Sequence, residues 1–255
     1  MSSFWPKFAV TVLLASAPLS GGGTAQSVDD TVRQVTNALS SINNLVCSEK
    51  KVLATFRGRT RLSESLHEYV AAAPRATANG QVDRRSAYVE LIRINGKAVP
   101  RSDSNIIPAT ITNGVSTIFR NQRSYFDFSV SGNSAEKDTG SLVIEFQMKK
   151  GNSSTPTSVP DFGKATVDKE SKQIVRLERT FLGLTQSAGP SFQNAETIIV
   201  ENYGNVLVDG NPIRMVKTWT MRVTERSNRD MVRTFASEYS DCHRFDVSVT
   251  IQPVR

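Results

Sequence analysis

The 255-residue chain has only two cysteines and two histidines. That supply is too small for a disulfide-dense scaffold or a multinuclear metal centre. Hydrophobic residues make up 38% of the chain, which is enough for a globular core and too little for a protein with several membrane spans. The net charge of +7 is spread over the whole length. This composition indicates a globular chain and names no reaction.

Motifs that announce catalysis are also missing. The sequence has no Gly-x-Ser-x-Gly elbow, no His-Glu-x-x-His pair and no phosphate-binding glycine loop. His67 and His243 lack the spacing of metal ligands, so we expect no metal and no cofactor. An enzyme is therefore the less favoured class. An unrecognised hydrolase stays open as an alternative, because catalytic residues need not be adjacent in sequence.

Residues 1–25 have the form of a secretory signal peptide. Lys7 precedes a ten-residue apolar run at 8–17, and Gly23 and Ala25 are small residues at the −3 and −1 positions of a cleavage site. Removing these 25 of the 255 residues leaves 230, and the loss of Lys7 lowers the net charge from +7 to +6. A retained N-terminal anchor is the alternative. We expect a soluble periplasmic or secreted protein without a transmembrane span. Export removes the chain from nucleic acid, so we expect no nucleic-acid partner.

Both cysteines lie in the mature chain, Cys47 near its start and Cys242 near its end. In an oxidising compartment two thiols usually pair, so we expect a disulfide between them. The alternative is a catalytic thiol at Cys242 assisted by His67 or His243. Adjacent side chains on a strand point to opposite faces, which disfavours the pair of Cys242 with His243.

Helical periodicity appears near the mature N-terminus. Apolar residues recur at steps of three and four over 28–46, which predicts an amphipathic helix, with Asp29 and Asp30 at its positive end. The segment 51–83 is ambiguous, since 52–56 is compatible with a strand whereas 62–73 has helical spacing. A further short helix is predicted at 112–119.

From residue 84 onward the period changes to two. Alternation predicts strands at 86–94, 125–130, 142–148, 165–167, 174–181, 197–203, 213–223 and 245–251. Asn95-Gly96 and Asp209-Gly210 are typical of tight hairpin turns. Alternation implies antiparallel pairing with one buried face. The predicted fold is mainly β with some α: one curved antiparallel sheet, as a barrel or a sandwich, packed by the N-terminal helix and short helices.

The order of these elements resembles a known family. An amphipathic helix leads to Cys47, then come the Asn95-Gly96 turn and the hairpin Val-Asp-Lys-Glu-Ser-Lys-Gln-Ile-Val-Arg-Leu-Glu at 167–178. Glu-Asn-Tyr-Gly at 201–204, Val-Asp-Gly-Asn-Pro at 208–212 and Glu-Tyr-Ser-Asp-Cys-His-Arg-Phe at 238–245 complete the pattern.

This pattern resembles a family of exported bacterial proteins related to the lipoprotein-sorting carriers LolA and LolB, and its hairpin also occurs in the regulator RseB. The resemblance implies a single half-barrel domain over 26–255, in which an incomplete barrel is plugged by helices. In the carriers the concave face holds acyl chains. None of their functional residues matches position by position, so none is carried over.

The candidate ligand-binding residues are the large apolar side chains of the sheet: Phe126, Phe128, Phe146, Met148, Met215, Trp219 and Met221. In a hollow barrel they would line a cavity for a lipid, a lipoprotein acyl chain or another apolar ligand, and methionine adapts to varied ligands. The alternative is that they fill an ordinary core under the N-terminal helix. The protein would then be an envelope protein-interaction or stress-sensing module with a protein partner.

Overall fold

A computed structural model describes residues 28–37, 43–76, 82–83, 86–100, 106–107, 118–119, 122–131, 140–149, 159–183, 195–225 and 230–245. The predicted signal peptide lies outside these residues. So do the predicted strand at 245–251, apart from Phe245, and the predicted helix at 112–119, apart from Ile118 and Phe119.

One α-helix and fourteen strands make up most of the regular structure of the described residues. Helix α1 spans Val28–Asn37. The strands are β1 Leu45–Arg57, β2 Thr60–Ala72, β3 Arg75–Ala76, β4 Val82–Asp83, β5 Tyr88–Ile94, β6 Lys97–Ala98, β7 Ile106–Ile107, β8 Phe126–Ser131, β9 Ser141–Met148, β10 Phe162–Asp168, β11 Ile174–Phe181, β12 Ala195–Val208, β13 Asn211–Glu225 and β14 Met231–Arg244.

Twelve of these strands form one sheet in the order β6-β5-β2-β1-β14-β13-β12-β11-β10-β9-β8, with β7 beside β5. Strands β3 and β4 form a separate small hairpin. Neighbouring strands along this order are antiparallel, and the sheet is curved and open, so the predicted incomplete barrel is confirmed. Inside this order β1 pairs with β14, so the first and last strands of the described residues are neighbours.

The prediction of a helix over 28–46 was wrong at its C-terminal end. Helix α1 ends at Asn37, and Val46 lies in β1, where it pairs with Ala72 on one side and His243 on the other. Residues 38–42 lie outside the described part of the chain. Pairing with two strands satisfies the backbone of β1 on both sides, and this long-range gain outweighs a local match to helical spacing.

The helical spacing at 62–73 was misleading, because residues 62–72 belong to β2. Their apolar side chains fall on both faces of the strand. Leu62 is 51% exposed, whereas an amphipathic helix would turn such a side chain toward the core. The neglected signal was Gly58, whose positive φ of 57° closes the β1–β2 hairpin. The strand predicted at 52–56 is confirmed and is longer than expected.

The remaining strand predictions are mostly confirmed, with two corrections. The strand predicted to end at Gly204 continues to Val208, and Gly204 pairs with Met215. Strand β14 was missed altogether. Both predicted hairpin turns are present, with φ of 49° and 77° at Asn95 and Gly96, and 49° and 79° at Asp209 and Gly210.

A bulge bends the β12–β13 hairpin. Asn202 pairs with Thr218 but Tyr203 pairs with Val216, which leaves Lys217 as an extra residue. Beyond this point β13 is no longer paired with β14, and Val208 near the hairpin tip bridges to Cys242 instead. The hairpin tip therefore crosses to the end of β14, and the predicted strict alternation of β13 is interrupted there.

Two buried clusters form the core. The first packs Val32 and Val35 of α1 onto β8–β11, and the second surrounds the ends of β1, β12, β13 and β14. We call the face that α1 covers the inner face. Cross-strand partners share a face. One inner-face row, the central row, therefore runs through Val130, Ile144, Ala165, Leu177, Glu201, Trp219, Ser237, Lys51, His67 and Ile94.

Candidate ligand-binding face

The inner face over β8 and β9 is filled by the protein's own aromatic side chains. Phe119, Phe126 and Phe146 are each at most 3% exposed, and the ring centroids of Phe126 and Phe146 are 5.3 Å apart. Phe128 packs against them with its centroid 6.3 Å from that of Phe146. Four of the seven predicted ligand-binding residues, namely Phe126, Phe128, Phe146 and Met148, thus belong to the cluster under α1.

The other three predicted residues lie on β13, apart from the phenylalanine cluster. Met215 is buried in the second cluster, against which Trp219 packs. Trp219 and Met221 are half-buried on the inner face. The structure therefore divides the seven residues between two regions, and their role in binding a ligand stays a prediction.

A partly buried apolar strip crosses four strands next to the central row. Ile199 pairs with Met221, Met221 with Phe235, and Phe235 with Leu53, so the four side chains share the inner face. None of the four is fully buried. We call them the apolar strip. The cross-strand row that contains this strip continues through β11 and β10 to Phe146 and Phe128, which are packed under α1.

A buried carboxylate stands beside this strip. Glu49 is 2% exposed, and its Oε1 accepts hydrogen bonds from Ser237 Oγ and, at 3.3 Å, from Trp219 Nε1. Lys51 Nζ lies 3.4 Å from the same oxygen. A buried charge is tolerated only when it is paired and hydrogen-bonded, and these three donors meet that condition.

The ammonium group of Lys51 also contacts two aromatic faces. Its Nζ lies 4.5 Å from the ring centroid of Tyr69 and 5.2 Å from that of Trp219. Both distances are within cation–π range. Lys51 is thus held between two rings and one carboxylate, which fixes a positive charge at the border of the apolar strip.

His67 continues this polar group toward the edge of the sheet. Its Nδ1 is 3.2 Å from Tyr69 Oη, and its Nε2 is 3.0 Å from Ser65 Oγ. Burial and, secondarily, the charge of Lys51 lower the pKa of His67, whereas burial and the charge of Glu49 raise the pKa of Tyr69. At neutral pH both rings are therefore uncharged, and one imidazole nitrogen donates while the other accepts.

A second buried ion pair lies one strand further on. Glu201 is fully buried and accepts hydrogen bonds from Arg179 and from the Tyr203 hydroxyl. Arg179 Nε and Thr197 Oγ1 are buried atoms without a hydrogen-bond partner in the described residues. Largely buried charged side chains thus lie on the inner face beside the apolar strip, at Arg179 of β11, Glu201 of β12 and Glu49 of β1.

Sequence reasoning did not identify this polar group. Glu49 and Lys51 alternate with the buried Cys47, but alternation alone does not tell a buried acid from an exposed one on the opposite face. Glu201 and Tyr203 belong to the Glu-Asn-Tyr-Gly motif, which contributed to the family resemblance and to no functional prediction. Glu201 and Tyr203 are two residues apart, which is the spacing of side chains that share one face of a strand, and this spacing was the signal that the motif contained.

Cys47 and Cys242 form the predicted disulfide, and both are buried. The bond links the start of β1 to the end of β14, beside the bridge from Val208. Because both sulfurs are bonded, the thiol-nucleophile alternative is wrong for this structure.

In the described residues, no three His, Cys, Asp or Glu side chains gather as metal ligands. No described helix is long and apolar enough to span a membrane.

Neither the known family models nor the curated protein sequences give a match to this chain. Among solved structures it is similar to a DUF1329 family protein from Desulfovibrio piger, with 11% identity, a TM-score of 0.42 and coverage of 88% of this chain and 95% of that one. It is also similar to a LolA superfamily protein from Nitrosomonas europaea, with 12% identity, a TM-score of 0.38 and coverage of 87% and 94%.

A third similar structure is a domain named for outer membrane lipoprotein sorting, from Vibrio parahaemolyticus, with 10% identity, a TM-score of 0.41 and coverage of 87% and 93%. The last two carry the names of the group that the sequence resembles. At identities this low the function has to be inferred from the residues of this chain.

Proposed function

We propose that the protein is an exported binding protein that holds a lipid, an acyl chain or another apolar ligand against the apolar strip of its inner face. The observation that carries this proposal is the incomplete burial of Ile199, Met221, Phe235 and Leu53 on four adjacent strands. Covering apolar surface gains about 25 cal/mol per Å². A ligand chain lying across the four strands would collect that gain along its length.

The polar group beside the strip suits the other end of such a ligand. Lys51, Glu49 and Trp219 are already held by mutual contacts, so their donors and acceptors need little reorganisation on binding. Preorganised polar groups next to an apolar surface are typical of sites for amphipathic molecules. The ligand class that fits best is therefore a molecule with one apolar chain and one polar end.

The cell envelope or the extracellular space is the compartment we propose. The signal peptide form of residues 1–25 and a buried disulfide are the supporting features, since disulfides persist in oxidising compartments.

The test uses the natural fluorescence of the mature chain. The sequence has two tryptophans, and Trp5 lies in the predicted signal peptide, so the mature protein carries Trp219 alone. Titration with palmitate should change the emission of Trp219 with saturation, and native mass spectrometry of the freshly purified protein should show a co-purified lipid. Leu53→Gln should weaken binding, because it makes the apolar strip polar.

Leu62→Gln is the matched control, since it makes the same chemical change at an exposed position of the neighbouring strand β2. It should bind palmitate as the wild type does. A lipid-free mass together with an unchanged Trp219 spectrum would rule out the carrier function.

A second candidate function is an envelope protein-interaction or stress-sensing module. The phenylalanine cluster favours it, because these buried rings pack under α1 as an ordinary core does. Recovery of a protein partner in a salt-dependent manner, with no lipid bound to either protein, would support this candidate over the first.

A further inference from the structure

A cavity of about 700 Å³ opens at the end of the barrel that carries the disulfide. Five elements meet around it: the start of β1, strand β3, the β10–β11 turn, the bent β12–β13 hairpin and the end of β14. The polar side chains that matter for its chemistry are Asn43, Gln173, Asn205, Arg214 and Arg244. The apolar strip lies elsewhere, so this cavity is independent of the proposed lipid site.

The lining of the cavity is positively charged. It includes two arginines and several side-chain amides, and no aspartate or glutamate. The Arg214 guanidinium is oriented by the backbone, because its Nε and Nη2 donate to the Ile174 carbonyl oxygen at 3.3 and 2.9 Å. Asn205 is the cross-strand partner of Arg214, which places the amide and the guanidinium on the same side of the hairpin.

Arg244 supplies the second guanidinium. It is exposed, and its side chain has no ion-pair or hydrogen-bond partner in the part of the chain that the structure describes. Two carboxylates lie near these arginines. Hydrogen bonds from Ser171 and, less strongly, the positive charge of Arg214 lower the pKa of Asp168. Asp209 accepts the backbone N–H of Arg244 at 3.0 Å, and Asp168 accepts the backbone N–H and the hydroxyl of Ser171, both at 2.8 Å.

The walls of the cavity are held by bonds that do not involve a ligand. Asn44 exchanges side-chain hydrogen bonds with the backbone of Ala76 at 2.8 and 3.2 Å, and its own backbone N–H donates to Pro74 at 2.9 Å. The Asn44 carbonyl accepts from the N–H of Phe245 at 3.1 Å. The start of β1 and the end of β14 are thereby fixed to each other beside the disulfide.

We propose that this cavity binds a phosphate-type oxyanion, carried either by a phospholipid head group or by free phosphate. Planar guanidinium groups and amide N–H donors are the groups that proteins use to recognise phosphate oxygens. The size of the cavity falls in the usual range for small-ligand sites. Arg214, whose charge also acts on Asp168, and Arg244, whose side chain has no partner among the described residues, both line this cavity.

The test measures two probes on the mature protein at constant ionic strength. Inorganic phosphate is titrated by calorimetry, and vesicles of phosphatidylglycerol mixed with phosphatidylcholine are compared with pure phosphatidylcholine by co-sedimentation. Arg244→Gln should weaken binding about tenfold, as expected for the loss of a charge-assisted hydrogen bond. Asn205→Asp, which places a negative charge in the cavity, should weaken it at least as much.

Arg222→Gln is the matched control, because it removes the same charge from an exposed position on β13 outside the cavity. Binding of phosphate alone indicates the free ion, and vesicle binding that phosphate competes away indicates the head group. The proposal is overturned if neither probe binds the wild type, or if Arg222→Gln reduces binding as much as Arg244→Gln does.

Discussion

The ring of Phe146 covers Gly163, its cross-strand partner on β10. A Cβ atom at residue 163 would meet the Phe146 ring and the carbonyl oxygen of Glu178 at distances that real Cβ atoms do not show. The glycine thus leaves the space that the aromatic ring fills, as glycines in strands often do where a neighbour approaches closely.

Gly163→Ala is expected to lower the free energy of unfolding by about 1–3 kcal/mol, because the added methyl group overpacks the core. The measurement is urea unfolding followed by circular dichroism. Gly183→Ala serves as the control, since a Cβ there has open space around it and the change should be within about 0.5 kcal/mol. Equal stabilities for the two variants would contradict the close packing of Phe146 on Gly163.

The buried pair of Glu201 and Arg179 predicts a graded response to mutation. Glu201→Ala leaves the Arg179 charge buried without its partner and should cost about 3–5 kcal/mol of stability. Tyr203→Phe removes the hydrogen bond of the Tyr203 hydroxyl to the same carboxylate and should cost about 1.5–3 kcal/mol. Glu238→Ala, at an exposed position of β14, should be nearly neutral. Chemical unfolding of the three variants would refute the arrangement if Glu238→Ala were the most damaging.

His67 predicts a loss of stability in acid. Its pKa in the folded protein is lowered from the usual 6.5, mainly by burial. The unfolded state therefore binds a proton more readily, so this contribution to stability is present above pH 6.5 and is lost as the pH falls below it.

The check is the change in urea midpoint between about pH 7.5 and about pH 5, a range that spans histidine titration. His67→Gln cannot take up this proton, so its midpoint should fall less than that of the wild type. Parallel pH profiles for the two proteins would exclude His67 as a source of the acid sensitivity.

Removal of the disulfide should destabilise the fold strongly. Cys47 and Cys242 are 195 residues apart, and cross-links that close long loops contribute about 2–5 kcal/mol. The double variant Cys47→Ala, Cys242→Ala should show this loss in urea unfolding. Mass spectrometry of the native exported protein before and after reduction and alkylation tests the bond itself, and two free thiols in the native protein would contradict it.

The fold was largely predictable because most strands are recognisable from the local sequence pattern. Alternation located β8, β9, β11 and β13, and the positive-φ turns at Asn95-Gly96 and Asp209-Gly210 located the hairpins. Strand β2 escaped because its apolar residues occupy both faces and imitate helical spacing. Its conformation is decided by pairing with β1 and β5, which no local window contains.

The candidate site was only partly predictable. Trp219 and Met221 were expected on the inner face and lie there, half-buried. The contact of Trp219 with Glu49 joins residues 170 positions apart in sequence, so only the order of strands in the sheet brings them together. One part of the inner face is filled and another is incompletely buried, and this division depends on where α1 packs. The sequence shows the apolar stripe of the helix but not the strands against which that stripe packs.

The adjacency of β1 and β14 has a consequence for how the protein is made. Synthesis begins at the N-terminus, so β1 is made long before β14. Until β14 has been made, β1 lacks one of its two neighbouring strands. Contacts of such long sequence separation slow folding and lengthen the time during which strand edges are exposed. The pairing of β1 with β14 therefore forms late, and until then the unpaired edge of β1 is open to aggregation with other chains.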